Sequence, residues 1–277
     1  MAREPYNLDE LLVPVGIEYA PLPAEIGLSP PHYFPPPTAT TADGLLCVGG
    51  RLSPDWLLDA YRHGIFPWPM WEDEPIAWWS PDPRAILELD ALRISRRLRR
   101  TLRSGPFHAT CDRDFEGVIR GCATAGDRRG NTWLTPAMID AYCRMHALGH
   151  AHSVEVWRAL PLPSGEGRGE GASPIGPHPN PLPEGEGIRL VGGTYGLAIG
   201  GLFAAESMFY CERDASKVAL VHLVAHLRTR GYQILDIQQW TPHTGRLGAV
   251  EIPRIEYLRR IASAIDLPVT FGEQLAG

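Results

Sequence analysis

The sequence predicts a protein of the α+β class, in which helices and strands occupy different parts of the chain. Helical patterns dominate up to about residue 148, and three successive strand patterns then indicate an antiparallel meander. A helix and one more strand follow, as a crossover connection requires. This order favours α+β over a regular α/β alternation. The chain has 277 residues, 44% hydrophobic and 21% charged, which is enough to bury a sizeable core.

The N-terminal part of the chain divides into a proline-rich arm and a small folded unit. Residues 1–33 show little apolar periodicity, so we expect an extended arm. Residues 34–80 contain a short strand, a helix that begins with Ser53 as N-cap and Pro54 in its first turn, and a tryptophan-rich segment. The motif S-P-D-P-R predicts a hinge, and residues 81–277 are expected to form a larger second domain.

Three helices are predicted between the hinge and the meander. In residues 91–102, apolar side chains recur at every fourth position on one face, and arginines fill the other faces. Residues 114–123 and 136–148 also have helical patterns, the second with Thr135 as N-cap. The arginine-rich helix is therefore expected to bury one stripe and to expose the rest.

Four strands are predicted in the second half of the chain. A helix over residues 215–229, closed by Gly231, connects the third strand to the fourth. The predicted strands are residues 151–157, 189–198, 202–210 and 233–238.

Residues 160–187 do not fit this pattern, because they are dense in Pro, Gly and Glu. The segment P-L-P-S-G-E-G at 161 recurs as P-L-P-E-G-E-G at 181. The insert lies where a tight turn would otherwise join two strands, and loop closure costs only about 0.6 kcal/mol per doubling of length. We predict that it is disordered and dispensable for folding.

Composition and cysteine spacing exclude several classes of protein. The longest nearly apolar stretch, residues 190–205, is too short and too rich in glycine to span a membrane. Residues 1–16 lack the basic and apolar regions of a secretory signal, so we expect a cytoplasmic protein. The five cysteines include no C-x-x-C pair and are expected to be reduced thiols.

The sequence contains no recognisable motif for a metal, a nucleophile or a nucleotide phosphate. His222 and His226 have the spacing of H-E-x-x-H but lack its glutamate, and the histidines within 146–152 straddle a predicted helix end. A P-loop and a G-x-S-x-G elbow are absent. Residues 211–218 offer coenzyme A no glycine loop for its pyrophosphate. We therefore expect neither a metal nor a cofactor.

A dense basic segment favours a local RNA site, although the net charge is −6. Such a density of arginines repels itself unless an anion is near, and the four tryptophans within residues 68–79 can stack bases. A solvated basic face is the alternative. The arginines are Arg93, Arg96, Arg97, Arg99, Arg100 and Arg103.

Two acids interrupt predicted strands that are otherwise apolar. Glu206 lies in the third strand and Asp236 in the fourth, where alternation places Asp236 and Gln238 on one face. An unpaired buried carboxylate is costly, so each acid is expected to be paired, hydrogen-bonded or lining a cavity. A purely structural role, in which each acid caps loop amides, is the alternative.

A series of motifs runs in order through residues 34–261, the insert excepted: D-G-L-L-C-V-G-G-R-L-S-P, Y-R-H-G-I-F-P-W, W-W-S-P-D-P-R, L-G-H-A-H-S-V-E-V-W, A-E-S-M-F and D-I-Q. Together they resemble the leucyl/phenylalanyl-tRNA–protein transferase family. The resemblance implies transfer of Leu, Phe or Met from an aminoacyl-tRNA to an N-terminal Arg or Lys of an acceptor protein, which marks it for N-degron degradation. It also implies a small N-terminal domain and an acetyltransferase-like (GNAT-type) domain with a mixed sheet that does not use coenzyme A.

The resemblance implies roles for the residues that contact the tRNA. Trp68 and Trp133 are expected to hold the terminal adenosine, and the basic helix to bind the acceptor stem. Thr194 stands where the family has Met, and Leu223 where it has Phe, so the preference among Leu, Phe and Met is left open. The expected pocket for the transferred side chain consists of Thr194, Met208, Leu220, Leu223 and Leu235.

The resemblance places Glu206, Asp236 and Gln238 at the reaction centre. An aminoacyl ester is already activated, and an α-amine with a pKa near 7.7–8.0 is partly free base at neutral pH, so positioning does most of the work. We expect Asp236 to accept or relay the amine proton while Gln238 orients the reacting groups, a contribution of about 10²- to 10⁴-fold. The alternatives are Asp236 as an electrostatic anchor and Glu206 as a binder of the cationic acceptor.

Two other functions stay open on the sequence alone. The same scaffold suits an acyl-CoA-dependent N-acyltransferase, which coenzyme A should protect against thermal unfolding. A non-catalytic RNA-binding module should bind RNA without any transfer to a peptide.

Overall fold

The computed structural model describes residues 11–13, 21–69, 75–126, 132–159 and 187–276. Seven α-helices and eleven strands occur in these ranges, and they form a mixed α/β fold with a mixed central sheet. The predicted combination of helices with a mixed sheet is therefore confirmed. Within the same ranges, no helix combines the length and apolar character that crossing a membrane requires.

The elements are numbered in chain order. The helices are α1 (Pro54–Arg62), α2 (Arg96–Ser104), α3 (Phe115–Thr124), α4 (Pro136–Ala147), α5 (Ala215–Arg230), α6 (Pro242–Leu247) and α7 (Arg254–Ala264). The strands are β1 (Leu11–Leu12), β2 (Leu45–Gly49), β3 (Phe66–Pro67), β4 (Ala77–Trp79), β5 (Arg84–Ile86), β6 (Phe107–Cys111), β7 (Ala151–Ala159), β8 (Ile188–Ile199), β9 (Leu202–Tyr210), β10 (Ile234–Gln238) and β11 (Val250–Ile252).

A seven-stranded sheet of order β11-β5-β10-β9-β8-β7-β6 forms the centre of the protein. β7, β8 and β9 form the predicted antiparallel meander. α5 then crosses over to β10, which runs parallel to β9. β5, directly after the predicted hinge, pairs antiparallel with the other edge of β10. The hinge segment thus delivers a strand to the large sheet, one position in from its β11 edge.

Helices cover both faces of this sheet and enclose two cores. The first core joins α1, α3, α4 and α7 to one face, and the second packs α2 and α5 on the other. Ile234 belongs to the first core and its neighbour Leu235 to the second, as strand alternation requires. Asp236 therefore points toward the first core.

A smaller sheet of order β1-β2-β4-β3 lies in the N-terminal part of the chain. The segment between β1 and β2 is anchored to the first core by a few buried side chains. Ile26 and Phe34 are buried, and the Phe34 ring lies 5.3 Å from the ring of Trp56 and 4.7 Å from that of Trp78. The described part of the predicted arm is therefore held by the first core.

Helix ends follow the predicted capping residues with one exception. α1 and α4 begin where Ser or Thr N-caps predict. The helix expected over residues 91–102 instead begins at Arg96, because the Ser95 side chain accepts a hydrogen bond from the backbone N–H of Leu98 and caps it. Arg93 lies before this helix, and its N–H binds a carbonyl at the end of α6. The prediction of a helical Arg93 is wrong.

The predicted insert, residues 160–187, lies outside the described residues except for Gly187. Its flanks are described, because β7 and β8 pair as far as Ala159 and Ile188. The insert therefore occupies a hairpin connection. Its disorder and its dispensability stay predictions.

Candidate active site

The candidate active site lies where β9 and β10 stop pairing. Their parallel register ends at Asp236 opposite Ala204, and Gln238 pairs instead with Ala85 of β5. Just beyond that point, Gln238 Nε2 donates to Glu206 Oε1 at 2.9 Å. The structure thus brings the three expected catalytic residues together at one gap in the sheet.

Asp236 is buried with 0% exposure, and its carboxylate accepts four hydrogen bonds. Arg84 donates from Nε to Oδ1 at 2.9 Å and from Nη2 to Oδ2 at 2.6 Å. The Tyr257 hydroxyl donates to Oδ2 at 2.7 Å, and the Gln238 N–H donates to Oδ1 at 2.9 Å. Both oxygens are occupied, which favours the anchor role of Asp236 over that of a base that meets the substrate.

Arg84 supplies the positive charge that holds Asp236. It is 1% exposed, and its guanidinium lies 4.7 Å from the ring centroids of both Phe66 and Tyr257. Nη1 donates to the Gly64 carbonyl at 3.0 Å. Burial by itself lowers the pKa of Arg84, but the facing Asp236 carboxylate raises that pKa above its ordinary value. The two residues form a hydrogen-bonded ion pair, the state in which buried charges are tolerated.

Gln238 has a left-handed backbone conformation, with φ of 58°, which non-glycine residues rarely adopt. The register of β10 with β5 shifts between Asp236 and Gln238. The N–H bond to Asp236 Oδ1 stabilises this backbone, and the carboxamide is left to bridge to Glu206. The conformation of Gln238 therefore depends on Asp236.

Glu206 is a half-buried residue, and the groups that donate hydrogen bonds to its carboxylate are uncharged. The Tyr142 hydroxyl donates to Oε2 at 3.0 Å, and the Tyr61 hydroxyl lies 2.8 Å from that of Tyr142. Burial is the largest influence and raises the pKa of Glu206 to about 7; hydrogen bonds from the two tyrosines oppose the rise, and the charge of Asp236 adds to it. A carboxyl group with this pKa exchanges a proton near neutral pH, as a general base in that range must.

Trp68 and Trp133 lie against each other beside the small sheet. Their ring centroids are 4.7 Å apart with 18° between the planes, and Trp68 is 38% exposed. The indole N–H of Trp79 donates to the Trp68 carbonyl at 3.0 Å and fixes that backbone. The pair offers an aromatic surface on which a planar ring can stack.

Thr194 and Met208 are direct partners across β8 and β9. The Thr194 side chain is buried, and its hydroxyl donates to the carbonyl of Ser207 at 2.9 Å. Tyr195 belongs to the first core, so alternation places Thr194 on the opposite face of the sheet. This pair therefore lies on the face that α5 covers.

The three leucines expected in the same pocket are buried in the second core. Leu220 and Leu223 lie on α5, and Leu235 lies on β10 next to Asp236 but on the other face. The sheet thus separates the apolar set from the acids. A ligand that touches both sets has to enter the gap between β9 and β10.

The basic segment, residues 93–103, exposes all six arginines expected to bind RNA. Five of them lie on α2 and Arg93 precedes it, which corrects the expectation of a single six-arginine helix. Leu98 is buried in the second core. Arg97 pairs with Asp214 at the start of α5, so part of the charge is compensated within the protein.

Two of the histidines that the sequence offers as metal ligands, His226 and His152, make hydrogen bonds within the protein. His226 Nε2 lies 2.7 Å from the Phe271 carbonyl, and its Nδ1 accepts from the Ala276 N–H at 2.9 Å. His152 Nδ1 lies 2.6 Å from Asp112 Oδ2. Among the described residues, no three His, Cys, Asp or Glu side chains form a group able to hold a metal. All five cysteines are described, and each is a free thiol.

Sequence reasoning missed four residues of this site. Arg84 lies in the motif W-W-S-P-D-P-R and Tyr61 in the motif Y-R-H-G-I-F-P-W. Their position in family motifs, beside prolines and aromatic residues, was a signal that could have identified them as site residues. Tyr142 and Tyr257 lie on α4 and α7. Nothing in the sequence distinguishes these two from ordinary core tyrosines.

Two family models match the chain, and both describe transferases. The model for leucyl/phenylalanyl-tRNA protein transferase matches residues 86–166 and 185–262. The model for the N-terminal domain of the same protein matches residues 50–82. The N-terminal match contains Trp68, and the longer match contains Trp133, the basic segment and the gap between β9 and β10.

Relatives over most of the chain carry the same description. A leucyl/phenylalanyl-tRNA–protein transferase from Anaeromyxobacter sp. (strain Fw109-5) is 46% identical over 240 residues, which are 86% of this chain and 90% of the relative. Those from Solidesulfovibrio magneticus and Aromatoleum aromaticum are each 48% identical, over 83% and 80% of this chain and 82% and 81% of the relatives. The chain belongs to the leucyl/phenylalanyl-tRNA–protein transferase family, which confirms the resemblance seen in its motifs.

Proposed function

We propose that this protein transfers Leu, Phe or Met from an aminoacyl-tRNA to the N-terminal Arg or Lys of an acceptor protein. Membership of the family is the observation that carries this proposal. The added residue marks the acceptor for degradation by the N-degron pathway. Charged tRNA is a cytoplasmic substrate, so the protein is proposed to act in the cytoplasm.

The reaction joins the α-amine of the acceptor to the ester carbonyl of the aminoacyl-tRNA. A C–N bond forms, the ester C–O bond breaks, and the ribose oxygen of the terminal adenosine leaves with a proton. The attacking amine has to give up a proton in the same sequence. Glu206 is the group we assign to accept it, because it lies at the gap beside Gln238 and burial raises its pKa to about 7.

Gln238 and Asp236 have positioning roles in this scheme. The carboxamide of Gln238 contacts Glu206 and orients the reacting groups at the gap. Asp236 keeps Gln238 in place and does not itself take the proton, since its oxygens are occupied by donors of the protein. The anchor alternative for Asp236 is therefore the one we adopt.

The tRNA is proposed to bind at two places. The stacked pair of Trp68 and Trp133 receives the base of the terminal adenosine, where aromatic stacking is worth about 1–3 kcal/mol per base. The exposed arginines of the basic segment neutralise phosphates of the acceptor stem. We expect the affinity for tRNA to fall steeply with salt for this reason.

The transferred side chain is proposed to occupy the apolar space behind the gap. Its support is that the β9–β10 register ends beside this set, so this is the place where we propose that the side chain passes from the acid side to the face under α5. The proposed wall consists of Thr194, Met208, Leu220, Leu223 and Leu235.

We propose the same domain division that the sequence predicts, with an arm over 1–33, a small domain over 34–80 and an acetyltransferase-like domain over 81–277. The acetyltransferase-like domain is supported by the mixed sheet, in which the parallel strands β9 and β10 stop pairing at Asp236. Coenzyme A is not supported as a donor, because residues 211–218 at the start of α5 offer no glycine loop for its pyrophosphate. An acyl-CoA donor is therefore not proposed.

The test is transfer of labelled Leu or Phe from charged tRNA to a peptide that begins with Arg. We expect labelled peptide with Arg or Lys at the N-terminus, and none with a matched peptide that begins with Ala. Acetyl-CoA in place of charged tRNA should give no product and no thermal protection.

Two results would overturn the proposal. Tight binding of charged tRNA without any labelled peptide would make the protein an RNA-binding module. Acylation of the peptide from a coenzyme A thioester would make it an N-acyltransferase.

A further inference from the structure

We propose that Arg84 and Tyr257 are positioning residues of the transfer reaction, and that Arg84 joins the adenosine platform, the stacked rings of Trp68 and Trp133, to the reaction centre. The inference rests on the proposed function and adds two residues to it. Neither side chain touches Glu206, and both act through Asp236.

The first branch of this connection runs from Arg84 and Tyr257 to Gln238. Their three hydrogen bonds fix both oxygens of Asp236, and Oδ1 in turn accepts the Gln238 N–H at 2.9 Å. That N–H belongs to the left-handed residue whose carboxamide reaches Glu206. A small rotation of the Asp236 carboxylate therefore moves the carboxamide, and a displacement of about 1 Å at reacting groups can cost about 10²-fold in rate.

The second branch runs from the same guanidinium to the segment that ends in Trp68. Nη1 donates to the Gly64 carbonyl at 3.0 Å, and the Phe66 ring lies 4.7 Å from the guanidinium carbon. Phe66 and Pro67 form β3, and the N–H of Trp68 then donates to the Ala77 carbonyl at 2.9 Å. Arg84 thus contacts both the strand that leads to the platform and the carboxylate that orients Gln238.

This arrangement requires an arginine rather than any cation. Three N–H groups of one planar guanidinium serve two acceptors in different directions, and an aromatic ring lies on each side of the plane. A lysine keeps the charge but presents a single nitrogen, so it cannot hold Asp236 at two oxygens and also reach Gly64.

Two variants and two matched controls test the inference. Tyr257→Phe removes one hydroxyl and should lower kcat by about tenfold, with KM for charged tRNA unchanged. Arg84→Lys should lower kcat by about 10²-fold and also raise KM for charged tRNA, because it affects both branches. Tyr195→Phe is the control for the first, since the buried Tyr195 hydroxyl has no hydrogen-bond partner among the described residues.

Arg254→Lys is the control for the second variant. Arg254 also ties the N-terminal part to α7, through Thr40 Oγ1 at 2.8 Å and the Ser80 carbonyl at 2.5 Å, but it does not contact Asp236. Both controls should stay within about twofold of the wild type in kcat and KM.

A double-mutant cycle distinguishes positioning from general loss of stability. If Tyr257 acts through Gln238, Tyr257→Phe should have less than about a twofold effect on kcat when Gln238 is already Ala. An equal effect in both backgrounds, or a folded Tyr257→Phe with wild-type kcat, overturns the inference. Should Arg84→Lys fail to fold, the Tyr257 cycle decides alone. A wild-type protein that transfers nothing refutes the proposed function instead, and the inference with it.

Discussion

Asp236 and Glu206 lie at the same gap in the sheet, but their surroundings differ in charge and in exposure. Asp236 meets a guanidinium, a hydroxyl and a backbone N–H, and it has no exposed surface. Glu206 receives bonds from Tyr142 and Gln238, which are neutral, and stays partly accessible. A cation compensates the burial of the first charge, whereas burial that is only partly opposed by hydrogen bonds raises the pKa of the second to about 7.

Burial alone does not determine the role of a carboxylate. With a permanent cation beside it, an acid becomes a fixed structural charge. With neutral donors and access to solvent, it becomes a group that changes protonation near neutral pH. Four predictions, made on three substitutions, test this difference.

The largest expected effect is the loss of activity in Glu206→Gln. Gln keeps the size of the side chain but cannot take a proton, so transfer should fall by about 10²- to 10⁴-fold. In the wild type, kcat should rise with pH through about 7 as Glu206 ionises, and this rise should be missing from the variant. Single-turnover rates between about pH 5 and pH 9 give the profile. A folded variant with the wild-type profile would assign the proton transfer to another group.

Asp236→Ala should have the largest effect on stability. Removing the carboxylate leaves Arg84 buried without its partner, which costs about 3–5 kcal/mol of unfolding free energy. Urea unfolding followed by circular dichroism measures the loss. Asp266→Ala is the matched control, because its ion pair with Arg62 is exposed, at 81% and 43%, and should be worth under about 1 kcal/mol. Equal losses in the two variants would show that burial does not distinguish these pairs.

Glu206→Gln should also change how stability depends on pH. The folded protein holds the Glu206 proton up to about pH 7, while the unfolded chain releases it near the ordinary value of 4.5. Between these values the folded state binds more protons, so the stability of the wild type falls as pH rises. The variant lacks this fall and should gain about 3 kcal/mol relative to the wild type between pH 4 and pH 8. Parallel stability curves for the two proteins would contradict the raised pKa.

The smallest effect is expected for Tyr142→Phe. Its hydroxyl donates to Glu206 and lowers the pKa of that carboxyl, so its removal should move the rise in kcat to higher pH by under about one unit. Tyr232→Phe serves as control, because the Tyr232 hydroxyl has no partner in the described ranges. A shift to lower pH, or the same shift in both variants, would count against the assignment.

Local patterns predicted the elements that depend on local sequence. The meander, the crossover helix and its Gly231 cap follow from periodicity and capping, and the structure contains all of them. β5 has three residues, and its place beside β10 depends on a partner far along the chain. At α2 the local pattern predicted too long a helix. The arginine pattern continues upstream of Ser95, but Ser95 is the N-cap, so the helix begins only at Arg96.

The candidate site was predictable as a set of residues but not as a network. Glu206, Asp236 and Gln238 were identified as polar residues in apolar strands and from the family motifs. The partner of Asp236 was not, because Arg84 lies 152 positions away and no local pattern connects them. That contact is what favours the anchor role of Asp236 over the role of a base.

The β7–β8 hairpin offers a place to divide the molecule. Since the two strands stay paired to Ala159 and Ile188, the sheet itself holds together the segments on either side of this junction. Separately produced fragments ending at 159 and starting at 187 should therefore reassemble when mixed, by strand complementation. Recovery of peptide labelling from such a mixture would turn the hairpin into a reporter of assembly in living cells.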